Sequence, residues 1–272
     1  MKRIISSLVW IFAITLACSG QATSSYLPQV AAGVASGIAW HTYVVVTNPA
    51  AVGTSDSNVT ITFTKSDGTP FNIVGLFTNE MGDLVGIGNV ISFQISGGQT
   101  RFLVMMDDQL AAATPLAVGF ATVTSSAPVT ATGVFDASYV GGNETGSREL
   151  GQAGVTAAVR LSRQSIIAVK NSEHGVVNSS TAVAFANPNS TAATVTFELL
   201  DTSGVAPFAS VTRTLPPSNQ TAIFVTELFP DLPANFWGTM QVTTSTQTPI
   251  VATTLLFQAN GGFAAFPIVP LP

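Results

Sequence analysis

Val44-Val-Val-Thr-Asn48-Pro49 recurs later in the chain as Val183-Ala-Phe-Ala-Asn187-Pro188. Each is an apolar run closed by Asn-Pro, and a proline cannot donate to a sheet ladder, so each reads as a β-strand with a fixed stop. Further matches lie outward from this pair. Asn58-Val-Thr-Ile-Thr-Phe63 returns as Thr194-Val-Thr-Phe197, and Gln99-Thr100 returns as Gln220-Thr221. Gly119-Phe-Ala-Thr-Val123 followed by Pro128-Val-Thr-Ala131 returns as Gly238-Thr-Met-Gln-Val242 followed by Pro249-Ile-Val-Ala252. Blocks in the same order with similar gaps indicate two copies of one domain.

Period-two alternation dominates from Tyr26 onward, broken by Gly, Pro, Asn and Asp. It predicts strands over 26–31, 42–47, 58–64, 90–95, 100–105, 117–124 and 129–135. In the second copy it predicts 166–169, 182–186, 194–200, 211–215, 221–225, 238–243, 250–257 and 263–269. Short antiparallel strands at this spacing describe an all-β chain of two tandem immunoglobulin-like antiparallel β-sandwich domains, over residues 23–158 and 159–272. One helical turn is expected at Thr226-Glu-Leu-Phe-Pro230, capped by Thr226. The copies differ most in the middle. Gly68 and Ile95 lie 27 positions apart, whereas Gly204 and Leu215 lie 11 apart. The excess forms an inserted hairpin at about 71–89, whose apolar residues Phe71, Ile73, Leu76, Phe77, Met81, Leu84 and Ile87 are read either as a cap on the sandwich or as a partner-binding edge.

Charged residues make up only 8% of the chain against 46% hydrophobic, and the formal net charge is −5. The missing charge is replaced by Ser, Thr, Asn, Gln and Gly, so the surface must be neutral and polar. Beyond Arg3 the only lysines are Lys65 and Lys170, and no basic cluster exists. Phosphate neutralisation needs cations, so nucleic acid is excluded as a partner.

Residues 1–22 have the design of a secretory signal peptide: Lys2-Arg3, an apolar stretch, then small residues to Ala22. The stretch is too short for a comfortable membrane span, and no later segment is long and apolar enough for a transmembrane segment. Cys18 is the single cysteine. It is discarded with the leader if cleavage follows Ala22, or carries a lipid tether if Leu16-Ala17-Cys18 acts as a lipoprotein box. Either way no disulfide is available, which fits a bacterial envelope. The expected location is extracellular, periplasmic or at the cell surface, in the tethered case as an outer-membrane lipoprotein.

Catalytic equipment is sparse. His41 and His174 are the only histidines, and neither belongs to a His-Glu-x-x-His or Gly-x-Ser-x-Gly pattern. Glu80, Asp83, Asp107 and Asp108 do not follow a regular calcium loop. No catalytic residue, metal or cofactor is therefore assigned. Trp40, Tyr43, Phe236 and Trp237 are the large aromatics near strand ends that could stack on a sugar.

Tyr26-Leu-Pro-Gln-Val-Ala31, the two Asn-Pro turns, Thr226-Glu-Leu-Phe-Pro230 and Val242-Thr-Thr-Ser-Thr-Gln-Thr-Pro249 together resemble repeat domains in exported proteins of soil bacteria, especially acidobacteria. The resemblance implies export and tandem sandwiches, and supplies no catalytic residues. The expected role is that of a non-catalytic cell-envelope or extracellular protein with a structural, adhesive or binding function, its partner a surface protein or polysaccharide. A carbohydrate-binding protein using exposed aromatics is the alternative.

Overall fold

A computed structural model describes residues 23–77, 84–107, 114–140, 148–173, 176–204 and 207–272. The leader with Cys18, and Glu80, Met81, Asp83, Asp108 and His174, lie outside the described residues.

The chain is all-β and antiparallel. The first half contains β1 (Thr23–Ala35), β2 (Ile38–Thr47), β3 (Ser57–Lys65), β4 (Ile73–Phe77) and β5 (Leu84–Gly88). It continues with β6 (Val90–Ile95), β7 (Thr100–Asp107), β8 (Ala117–Ser125), β9 (Thr130–Tyr139) and β10 (Arg148–Thr156). The second half contains β11 (Arg163–Glu173), β12 (Val176–Ala186), β13 (Ala193–Asp201), β14 (Pro207–Leu215) and β15 (Gln220–Phe224). After the helical turn α1 (Val225–Leu228) come β16 (Asn235–Thr243), β17 (Val251–Gln258), β18 (Phe263–Phe266) and a final two-residue strand, Val269–Pro270.

In the first half one layer runs β1-β8-β3-β6 and the other runs β10-β9-β2-β7-β4-β5. In the second half the layers are β11-β16-β13-β14 and β18-β17-β12-β15. The strand order is therefore the same, save that the β4–β5 hairpin has no counterpart among the described residues of the second half. In an immunoglobulin domain the first and second strands share a sheet, and the last lies in the other sheet. Here β1 pairs along most of its length with β8, and meets β2 only through its last residues, Gly33–Ala35. The late strand β9 pairs with β2. The sandwich architecture is present, with its own edge-strand arrangement.

Alternation explains the layering. Val59, Ile61 and Phe63 of β3 point inward with Val44 and Val46 of β2 and Leu103 and Met105 of β7, all buried in one core. Val195, Phe197 and Leu199 of β13 do the same with Val183 and Phe185 of β12. The outward positions carry hydroxyl pairs in place of charge pairs. Thr60 meets Ser92 at 3.0 Å and Thr47 meets Thr100 at 2.8 Å across neighbouring strands. Such cross-strand contacts each contribute roughly 0.2–1 kcal/mol.

Both Asn-Pro turns are locked by the same buried amide. Asn48 Nδ2 donates to the carbonyls of Ser55 and Ile95, at 3.0 and 3.1 Å. Asn187 Nδ2 reaches the carbonyls of Thr191, Leu215 and Pro216, at 2.9, 3.0 and 3.0 Å. Each amide thus ties its own turn to the turn between two later strands. The helical turn forms where expected, but Thr226 lies inside it; Glu227 Oε2 instead accepts the Phe224 amide, at 2.7 Å. The β10 strand, which follows the glycine-rich 141–147 segment, closes the first half against β9.

Among the described residues no helix is long and apolar enough to cross a membrane.

Candidate functional site

The outer face of β1 and β8, together with the end of the inner face of β2, β9 and β10, meets the outer face of β12, β15 and β17 along an apolar seam, and the hollow of interest lies there. Tyr26 of β1 and Phe120 of β8 cluster with Ala186 of β12 and Val251 of β17. A second cluster joins Phe135, Ala137 and Ala153 to Leu255 and Phe263, with Trp40 and Phe257 packed against it. Trp40 stands 5.6 Å from the Phe263 ring and 6.3 Å from that of Phe257. Hydrogen bonds flank the seam: Ser66 Oγ donates to Gln220 Oε1 at 2.8 Å, and the Gln220 amide donates to the Ser66 carbonyl at 3.1 Å. The Arg160 guanidinium lies 5.8 Å from the Tyr26 ring centre, a cation–π contact between linker and first strand.

Between these contacts an open cleft of about 360 Å³ remains. The first half lines it with Gln29, Ala31, Trp40, Leu116, Val118 and Phe135; the second supplies Ala182, Ala184, Ala222, Phe224, Thr253 and Leu255, among others. Glu227 stands at its rim, oriented by the Phe224 amide. Small side chains make the hollow, because Ala182, Ala184 and Ala222 fall where β12 and β15 face the first sandwich. An apolar wall with a few polar groups, set at a domain interface, is a common form of small-ligand site. A second hollow of about 520 Å³ follows the linker past Val155, Ala158 and Leu161 to Phe266 and Ile268. Gln164, 1% exposed, lines it and leaves its Nε2 without a hydrogen bond.

The apolar residues read from the 71–89 segment lie elsewhere and do not act together. Phe71 and Ile73 are buried in the first core. Phe77 packs edge-on against Phe93 at 5.2 Å, with the Arg101 guanidinium 5.2 Å from its ring centre. Leu76 is half-buried on the neck of the hairpin, while Leu84 and Ile87 are exposed at 59% and 68%. The segment thus supplies core at its root and apolar surface along β5.

The aromatic set is divided as well. Phe236 is buried in the second core, Trp40 sits in the seam, and Tyr43 and Trp237 are on the surfaces of different halves. His41 Nδ1 is 3.9 Å from Asp136 Oδ2, and Gln152 Nε2 donates to Asp136 Oδ1 at 3.0 Å. Burial, and secondarily the Asp136 charge, push the nearby Tyr43 hydroxyl above its ordinary pKa. Among the described residues no three His, Cys, Asp or Glu side chains gather as a metal site.

Sequence reasoning singled out Trp40 and the Thr226–Pro230 turn but not the cleft that they border. Its alanines are ordinary strand residues, and nothing local marks which sheet face another domain will cover. No protein-family model, curated protein or solved structure matches this chain.

Proposed function

We propose that the protein is an exported, non-catalytic unit of the cell envelope or extracellular space, built from tandem copies of one β-sandwich and serving a structural, adhesive or binding role. The observation that carries this reading is the apolar seam. A hydrophobic contact between domains suppresses the hinge motion expected of a loosely joined pair, so the two sandwiches form one stiff unit. Their outward hydroxyl ladders give such a unit a neutral surface suited to a crowded envelope. The cleft accommodates a small apolar group, with Phe224 and Trp40 among the residues that line it. The polysaccharide reading is less favoured, because the large aromatics are divided among a core, a seam and two separate surfaces.

Fractionation of a bacterial host producing the full chain tests the proposal. Recovery in the envelope or medium, with Cys18→Ala either released from or retained by the membranes, separates a lipid-tethered form from a free one. Recovery of the chain in the cytoplasm would overturn the proposal.

A further inference from the structure

The cleft between the sandwiches has aromatic walls set at steep angles to one another. Phe257 of β17 lies at 61° to Trp40 of β2, with ring centres 6.3 Å apart, and at 65° to Phe224 of β15, with ring centres 5.6 Å apart. All three side chains line the hollow. Rings at such angles make the sides of a box, not the flat platform on which a sugar would stack. Phe224 is 36% exposed, and Trp40 and Phe257 are half-buried, so packing against each other does not use up their surfaces.

A carboxylate stands beside these rings. Glu227 lines the same cleft, and its Oε2 accepts the Phe224 amide at 2.7 Å, which holds the charge next to Phe224. No lysine or arginine is among the described residues of the lining, so no basic side chain there offsets it. The chain as a whole carries 14 acidic against 9 basic side chains, a further bias toward a cation. An aromatic ring is negative on its face, and a cation placed over it is attracted, most strongly where it has left water. An anion would meet the wrong sign at the ring faces and at Glu227. A divalent metal ion would find one carboxylate where it needs several oxygen ligands.

We propose that the cleft binds a small organic ammonium ion, an alkylated amine whose apolar substituents lie against Trp40, Phe224 and Phe257 and whose charge is met by Glu227. The small side chains of Ala182, Ala184 and Ala222 give the hollow its depth. A free solute fits better than a lipid headgroup, whose phosphate would be brought toward Glu227. The proposal rests on the binding role above and names its ligand class; export and the stiff tandem unit stand without it.

Calorimetric titration of the purified full-length chain tests it, with choline as the cation and dimethylbutanol, in which carbon replaces the charged nitrogen, as its neutral match. Choline is expected to bind about tenfold more tightly than the alcohol. Glu227→Gln retains an acceptor for the Phe224 amide and should weaken choline about fivefold while leaving the alcohol unchanged. Phe224→Leu keeps an apolar wall without a ring face and should also weaken choline, both variants retaining the wild-type circular dichroism. Added salt should lower the choline affinity. Equal affinities for choline and the alcohol would overturn the proposal, as would the absence of choline binding at about 10 mM or full affinity in Glu227→Gln. Phosphatidylcholine vesicles that retain the chain when free choline does not bind would overturn it as well. Recovery of the chain in the envelope or medium without choline binding removes this ligand alone, whereas choline binding by a chain recovered in the cytoplasm removes the location and keeps the ligand.

Discussion

Strands β9 and β17 occupy the same place in their sandwiches yet are buried in different ways. In β9 the residues alternate between core and surface from Thr130 to Ser138, whereas in β17 Val251 through Leu255 are all buried. Inward Ala131 of β9 and Ala252 of β17 serve their own cores, while Phe135 and Ala137, farther along the inward face of β9, join the seam. The difference is that the outer face of β17 meets the first sandwich, while the outer face of β9 meets no other part of the described chain as closely. Coverage by a neighbour turns a half-buried strand into a fully buried one. It also accompanies the change from Tyr43, Val45 and Phe102 to Ala182, Ala184 and Ala222 at matching positions, since small side chains allow two sheets to approach.

Against that contrast, the internal joints are nearly the same in both halves, and substitutions at paired positions measure how far the likeness extends. The largest effect is expected at the glycines. A β-carbon at Gly119 would lie 2.0 Å from the Thr64 carbonyl oxygen, and one at Gly238 would lie 2.1 Å from that of Leu200. Backbone cannot move aside as a flexible side chain can, so Gly119→Ala and Gly238→Ala should each cost about 3 kcal/mol or more in urea denaturation. A near-neutral result at either site would mean that the strand crossings are not equivalent.

Next come the turn amides. Asn187 Nδ2 serves three carbonyls and its Oδ1 accepts from the Asn189 amide and side chain, while Asn48 serves two carbonyls and the Ala50 amide. Removing a buried partner strands its acceptors, so Asn48→Ala should cost about 2–3 kcal/mol and Asn187→Ala about 1 kcal/mol more. The same denaturation midpoints decide the order; a larger loss at Asn48 would break it.

The buried threonines come third. Thr42 Oγ1 accepts the Ala31 amide and donates to the Ala31 carbonyl at 3.0 Å, whereas Thr181 Oγ1 receives the Val169 amide. Thr42→Val is expected to cost about 2 kcal/mol and Thr181→Val about 1 kcal/mol. Amide exchange at Ala31 and Val169 should quicken in the respective variants, and unchanged exchange would remove the threonine from its assigned role.

The smallest effect concerns acid. The Thr69 hydroxyl, then its amide, hold Asp67 below the usual carboxylate range, and the Ser203 hydroxyl and amide do the same for Asp201. A depressed folded-state pKa contributes stability above the unfolded pKa and loses it as pH falls through the folded value. Thermal stability should therefore decline below about pH 4, and Asp67→Asn or Asp201→Asn should each flatten that decline slightly. Both carboxylates are fully exposed, so a steep loss assigned to either one would contradict this placement.

Much of the fold was legible because its signals are local. Val90–Ile95 has the strand limits read from alternation, and the Asn-Pro stops mark the ends of β2 and β12. Other strands run longer than their apolar patterns, as β11 does from Arg163 to Glu173, because ladder hydrogen bonds continue through polar residues. Thr226 was a reasonable cap by residue type, yet the chain enters the turn two residues sooner and the Glu227 side chain meets the Phe224 amide. The cleft had no comparable signal. Trp40 reads as an aromatic at a strand start, and only its approach to Phe257 and Phe263, far along the chain, makes it a wall of the seam.

The sequence by itself determined the β class, the inward set of each strand, the polar neutral exterior and the matched turns, since these follow from side-chain alternation and backbone chemistry within a few residues. Tertiary structure alone decided that β1 joins β8, that the outer face of β17 is covered while that of β9 is open, and that the alanines of β12 and β15 border a cleft. Alternation assigns a residue to one side of a sheet, but which surface arrives to cover that side depends on contacts between distant parts of the chain.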